Sequence, residues 1–141
     1  MTDPSIVGGC LCGAVRYRAE GEPAAVALCH CEDCQRQSGA AFSVNVLVGT
    51  ETLVIDGAES LKVFETTGTD TGQPRQRRFC GTCGSPIVSE LAEMEGMVAI
   101  KAGTLDDRSW IEPEMAVWTE RKHPWLTADI ELGEFPRDLP T

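Results

Sequence analysis

Apolar residues recur along this chain with period two far more often than with the helical period, and turn formers interrupt the pattern about every eight to twelve positions. Such alternation puts every second side chain on one face of an extended strand. It predicts strands over 14–19, 24–29, 41–48, 52–55, 61–66, 75–79, 86–91, 97–102 and 116–118, and therefore a mainly β chain. Helix is confined to short pieces. The best candidate covers 31–38, with Glu32 and Asp33 at the positive end of its dipole and Gly39 closing it. A shorter turn is expected to start at Thr104. Residues 67–74 (TGTDTGQP) read as a polar loop, and the stretch after Trp125, acidic and interrupted by prolines, has little to bury.

The 141 residues suit one domain, 1–141, with a core of about 6–126 and a tail over 127–141. No run approaches the ~20 apolar residues of a membrane span. Twelve basic residues against 22 acidic ones leave a formal charge of −10, which argues against a phosphate-binding surface. Neither nucleic acid nor a membrane is expected as a partner, and the oligomeric state is left open. The opening Met-Thr-Asp-Pro-Ser has neither the charged nor the apolar region of an export signal, so a cytoplasmic location is expected.

Composition changes the picture through cysteine. All seven fall into short clusters: Cys10-Leu-Cys12, Cys29-His-Cys31 running on to Cys34, and Cys80-Gly-Thr-Cys83. An odd count in a chain without an export signal favours metal ligation over a disulfide framework, and a thioredoxin-like redox role would want a βαβ context that the pattern lacks. Residues i and i+2 of a strand share a face, so Cys10 points with Cys12 and Cys29 with Cys31, while His30 points the other way and is expected to pack or hydrogen-bond rather than ligate. The run Phe-Cys-Gly-Thr-Cys-Gly at 79–84 has the form of a zinc-knuckle turn, whose glycines let backbone N–H groups fold over the sulfurs. Such a turn needs a second pair, which Cys10 and Cys12 supply. Cys29, Cys31 and Cys34 then remain as a three-sulfur group. A closed four-sulfur site holds structure, whereas three sulfurs leave a position at which chemistry can occur.

Four stretches together, GCLCGAVRY at 9–17, CHCEDCQRQSGAAF at 29–42, FCGTCG at 79–84 and GTLDD at 103–107, resemble the glutathione-dependent formaldehyde-activating enzyme family, which also includes a vertebrate centromere-associated protein. The resemblance implies a β-tent-type zinc-binding fold with short helical turns. It implies two zinc ions per chain, one structural on Cys10, Cys12, Cys80 and Cys83, the other catalytic on Cys29, Cys31 and Cys34. The implied activity is that of a carbon–sulfur lyase, joining glutathione to formaldehyde to give S-hydroxymethylglutathione. One position departs: where relatives carry a histidine shortly before the pattern around Trp118, this chain reads PEMAVW over 113–118.

A free thiol is only about 3% ionised at neutral pH, so full ionisation on a metal gains at most about 30-fold, or about 2 kcal/mol. Positioning of the aldehyde against the sulfur has to supply the larger share. Three thiolates also blunt the ion's Lewis acidity, which favours a small-molecule thiol and aldehyde as partners over water activation. Gln35, Arg36, Gln37 and Ser38, just after Cys34, are expected to hold the thiol's carboxylates or orient the carbonyl. Arg75, Arg77 and Arg78 are candidates for an anion patch, although alternating basic residues more often form the solvated face of a strand. The alternative is a non-catalytic zinc-stabilised binding module with both metal sites structural. A further alternative, hydrolysis by metal-bound water with Asp33 or Glu32 as base, competes with the simpler reading of both as the acidic first turn of a helix. Phe42, Phe64, Phe79, Trp110, Trp118 and Trp125 read as core or cleft-flanking residues, with Trp125, beside His123, placed on a loop.

Overall fold

The computed structural model describes residues 6–127 and 131–138. Ten strands are present among them: β1 (Ile6–Gly9), β2 (Arg16–Ala19), β3 (Ala25–Cys29), β4 (Ser43–Gly49), β5 (Leu53–Asp56), β6 (Leu61–Thr67), β7 (Pro74–Cys80), β8 (Pro86–Leu91), β9 (Met97–Lys101) and β10 (Met115–Val117). They form two sheets, one of three strands in the order β1-β2-β5 and one of seven in the order β10-β3-β4-β9-β8-β7-β6. All pairings are antiparallel except that of β10 with β3. The chain thus adopts the expected mainly β, β-tent-type fold with short helical turns. No helix among the described residues is long and apolar enough to cross a membrane.

The core lies between the sheets. Ile6, Val15 and Tyr17 from the small sheet and its approach meet Val46, Val48, Val88, Val98 and Ile100 from the large one. Each such side chain, fully buried, contributes about 1.5–3 kcal/mol, and β-branched residues suit the pleated surface on which they sit.

The other face of the large sheet is where the chain's chemistry collects. Cross-strand partners share a face, and the register pairs Cys29 with Ser43, Asn45 with Lys101, Ala99 with Ser89, and Ser89 with Arg77. One polar stripe therefore crosses β3, β4, β9, β8 and β7.

The helix α1 (Glu32–Ser38) forms where the sequence predicts it. Cys31 caps it, its sulfur accepting from the Cys34 N–H, and Gly39, at φ 70°, donates back to the Gln35 carbonyl. Elsewhere the structure departs from expectation. The alternation pattern does not predict β1, because two of its four residues are glycine, a residue depleted in strands. A Cβ on Gly8 would lie 2.2 Å from the Thr104 carbonyl oxygen and 2.5 Å from the Tyr17 hydroxyl, so the approach of the Ala102–Thr104 turn to β1 beside Tyr17 requires the missing side chain. The turn expected to start at Thr104 instead ends there, as a 3-10 turn over Ala102–Thr104. Phe64 stands out in solvent on the edge strand β6 rather than in the core. Of the expected tail 127–141, residues 128–130 and 139–141 lie outside the described residues, as does the opening Met1–Ser5, and 131–138 are exposed.

Candidate metal centres and an adjoining cleft

Cys10, just after β1, and Cys80, the last residue of β7, begin two turns of the same form. In each, the cysteine N–H donates to a carbonyl five residues on, Val15 at 3.0 Å and Ser85 at 2.9 Å, and a left-handed glycine, Gly13 or Gly84, donates back to the cysteine carbonyl. The turns face each other. Cys10 Sγ lies 3.6 Å from Cys12 Sγ, which lies 3.8 Å from Cys80 Sγ, and Cys83 completes a group whose sulfurs are all within 4.8 Å of one another. Four thiolates about 2.3 Å from a tetrahedral ion have sulfurs about 3.8 Å apart, so the group fits a metal. Backbone N–H groups of Val15 and Thr82 reach Cys10 and Cys80 at 3.3 and 3.4 Å, as donors that soften thiolate charge. Ser85 ties the turns together, accepting from the Leu11 N–H at 3.1 Å and lying 3.3 Å from Cys83 Sγ. That hydroxyl is the main cause pulling the Cys83 thiol down to about 5.

The second group is Cys29, Cys31 and Cys34, again within 4.8 Å of one another. The end of β3 supplies the first, the helix cap the second and the first turn of α1 the third, whose N–H reaches Cys31 Sγ at 3.3 Å. Three sulfurs this close cannot all ionise without a cation. The Cys31 and Cys34 thiols push Cys29 up, whereas Cys34 is drawn down because Cys29 and Cys31 donate to it. Among the described residues no histidine, aspartate or glutamate joins them. His30 is buried, turned toward the Phe42 ring at 5.4 Å, and its Nδ1 has no hydrogen-bond partner.

These sulfurs open onto a cleft of about 380 Å³ whose floor is the polar stripe of the large sheet. Lys101 shares the cleft with them: burial draws its ammonium below the usual range, and the Cys34 sulfur opposes that shift. Its Nζ donates to Asn45 Oδ1 at 2.8 Å, and Asn45 Nδ2 donates to Ser43 Oγ at 2.9 Å. Farther along, Arg75 pairs with Glu93 at 2.7 Å. The expectation that the arginines of β7 form a solvated face is overturned for two of them. Arg75 and Arg77 are 7% and 5% exposed and line the cleft, on a sheet face around which Gly68, Asp70, Thr71, Glu93 and Met94 also stand. Arg78, on the opposite face, pairs with Glu90 at 3.1 Å.

The loop before β7 closes over the start of α1. Asp33 accepts from the Thr69 N–H at 2.9 Å and its hydroxyl at 2.6 Å. Asp70 accepts from the Glu32 N–H at 2.9 Å and from Arg121 Nη2 at 2.7 Å. Glu32 itself holds Arg36 at 2.9 Å. Both carboxylates offered as a hydrolytic base are thus occupied in structure.

Gln35, Arg36 and Ser38 do not line the cleft. Gln35 braces the tail of the fold, donating to the His30 carbonyl at 2.9 Å and the Arg121 carbonyl at 3.2 Å and meeting His123 Nε2 at 2.8 Å. Ser38 donates to the Cys34 carbonyl at 2.6 Å. Sequence reasoning missed Lys101, Asn45 and Ser89, since only strand register brings them to the same cleft as Cys34 and they carry no spacing motif.

Residues 5–121 match the sequence model of the glutathione-dependent formaldehyde-activating enzyme family. A Halomonas elongata protein named for that family is 32% identical over 133 residues, covering 92% of this chain and 83% of its own. An Aspergillus flavus protein named likewise is 29% identical, over 97% of this chain and 70% of its own. A crystal structure of a Rhodobacter sphaeroides protein superposes with a TM-score of 0.60 at 24% identity, covering 79% of this chain and 98% of that one.

Proposed function

The chain belongs to the glutathione-dependent formaldehyde-activating enzyme family, and from that premise we propose that it is a zinc-dependent carbon–sulfur lyase acting in the direction of synthesis on glutathione, or a similar thiol, and formaldehyde. The observation that carries the reading is the incomplete sulfur group: Cys29, Cys31 and Cys34 stand together, with no fourth protein ligand among the described residues, at the wall of a cleft of about 380 Å³. Cys10, Cys12, Cys80 and Cys83 would hold a structural zinc, and Cys29, Cys31 and Cys34 a catalytic one.

The ion in the second group would supply a place for one more sulfur and keep that thiol ionised at neutral pH. The chain's own residues do the rest. The aldehyde, confined in the cleft, meets the thiol as a neighbour rather than by diffusion, and this proximity is the larger part of the gain. A carbon–sulfur bond forms as the carbonyl π pair moves to oxygen, and the proton the thiol lost ends on that oxygen as the product hydroxyl. Lys101, held by Asn45, supplies positive charge beside the sulfurs where the oxygen becomes anionic.

The test is direct: the zinc-loaded protein is mixed with glutathione and formaldehyde and the rate of S-hydroxymethylglutathione formation is followed by NMR against the uncatalysed reaction. A rate no higher than background, with both ions present, would leave the non-catalytic zinc module as the reading.

A further inference from the structure

Arg77, on the cleft floor, has no ion-pair partner among the described residues. Arg77 is 5% exposed, and neither its Nε nor its Nη1 has a hydrogen-bond partner. Its cross-strand neighbour Ser89 is 2% exposed, and that hydroxyl is unpartnered as well. Both line the cleft. The acids around them are engaged elsewhere: Glu93 with Arg75, Asp70 with Arg121, and Asp33 with Thr69. Lys101 donates to Asn45 and offers no acceptor.

Buried donors are almost always satisfied, and an uncompensated buried charge carries a penalty of several kcal/mol. Two adjacent sheet positions that line one cleft and carry buried, unpartnered donors therefore mark a place for an acceptor that arrives with the ligand. A guanidinium offers parallel N–H groups that match the two oxygens of a carboxylate, and a serine hydroxyl beside it adds a third donor.

Strand order gives the distance. Cys29 lies on β3 and Arg77 on β7, four strands apart, or roughly 19 Å of sheet at about 4.8 Å per strand. The arginine side chain shortens that gap without closing it. A ligand with its sulfur at the three-cysteine end and its anion on Arg77 has to be elongated, of peptide rather than amino-acid size.

We infer that Arg77 and Ser89 form a carboxylate-binding subsite at the end of the cleft away from Cys29, Cys31 and Cys34, which selects elongated thiols whose carboxylate is remote from the sulfur. The position of the sulfur rests on the proposed function, while the anion subsite stands on Arg77 and Ser89 themselves. Calorimetric titration of the zinc-loaded protein with glutathione and with glutathione diethyl ester tests it. The acid binds at least about tenfold more tightly than the ester, the ratio expected from one charge-assisted pair. Arg77→Gln abolishes that ratio and Ser89→Ala narrows it. An ester that binds wild-type protein as tightly as the acid overturns the subsite, as does a ratio undiminished in both variants. If Arg77→Gln does not fold, the ratio in Ser89→Ala against wild type carries the test. Acid-over-ester discrimination without any formaldehyde turnover would remove the enzyme reading and leave the subsite. Turnover with equal kcat/KM for acid and ester would do the reverse.

Discussion

Cys12 and Cys80 are 68 positions apart in the chain, yet their sulfurs lie 3.8 Å apart. The contact joins the loop between β1 and β2 to the end of β7, so the four-sulfur group fastens the small sheet to the large one. A structural zinc of this kind is worth about 10–16 kcal/mol in small peptides, comparable to the stability of a whole domain. Cys80→Ser is therefore expected to lose the cooperative thermal transition or to shift it down by tens of degrees. Cys34→Ser, at the edge of the cleft, should keep a near-native melt and lose turnover. Circular dichroism melts alongside the glutathione–formaldehyde assay separate the two roles. Equal melting losses in both variants would make both sites structural.

Gly57 enters the turn before β6 at φ 78°, and a Cβ there would sit 1.9 Å from the Ala14 carbonyl oxygen. The left-handed conformation alone disfavours any other residue, and the opposing atom is backbone, which cannot swing aside. Gly57→Ala should cost about 2–4 kcal/mol in denaturant unfolding, within the range for strained special positions. A loss under about 0.5 kcal/mol would show that this approach of the two segments is not fixed.

The pairing of sheets was only half legible from the chain. Alternation located nine of the strands, because one face of each is apolar and turn residues bound them. It overlooked β1, whose Gly8 is demanded by contacts with Thr104 and Tyr17 that no local pattern records. Cysteine spacing grouped the sulfurs as four and three because ligands one or two residues apart are a local feature. The floor of the cleft is not local. Lys101 meets Asn45 across 56 positions, and Arg77 meets Ser89 through a hairpin register that β-bulging near Phe79 shifts. Arg75 and Arg77 look like a solvated face until the 68–71 loop, Glu93 and Met94 close around the cleft they line. Conversely, Gln35 and Ser38 look like ligand groups beside Cys34, but Gln35 bonds the His30 and Arg121 carbonyls and Ser38 bonds back to the Cys34 carbonyl of its own helix.

Tyr17 is the chain's one tyrosine, 2% exposed, with its hydroxyl 2.6 Å from Thr104 Oγ1. Burial pushes its phenol up to about 12, against the Thr104 hydrogen bond, which acts the other way. The folded chain thus keeps a proton that the unfolded chain releases near pH 10. The stabilisation is complete below about pH 10 and is lost as pH rises through about 12. Tyrosinate absorbance should titrate near 12 in native protein and near 10 in denaturant. Tyr17→Phe should remove that alkaline dependence and cost about 1 kcal/mol at neutral pH through the lost hydrogen bond. A native midpoint at 10 would place the phenol in water.

The two sulfur groups should release metal in a fixed order. The Cys10, Cys12, Cys80 and Cys83 group has four protein ligands and two backbone N–H donors, and its loss separates the sheets, so its ion leaves only as the fold opens. The Cys29, Cys31 and Cys34 group has three ligands facing a cleft that admits a chelator. Elemental analysis of protein purified without chelator is expected to give two zinc ions per chain. A mild chelator should then remove one without altering the circular dichroism spectrum. Added glutathione should slow that removal, because a thiol sulfur takes the position the chelator needs. Two ions lost together with unfolding would mean that something closes the second group, and a single ion unaffected by thiol would assign Cys29, Cys31 and Cys34 a purpose other than holding metal for a thiol.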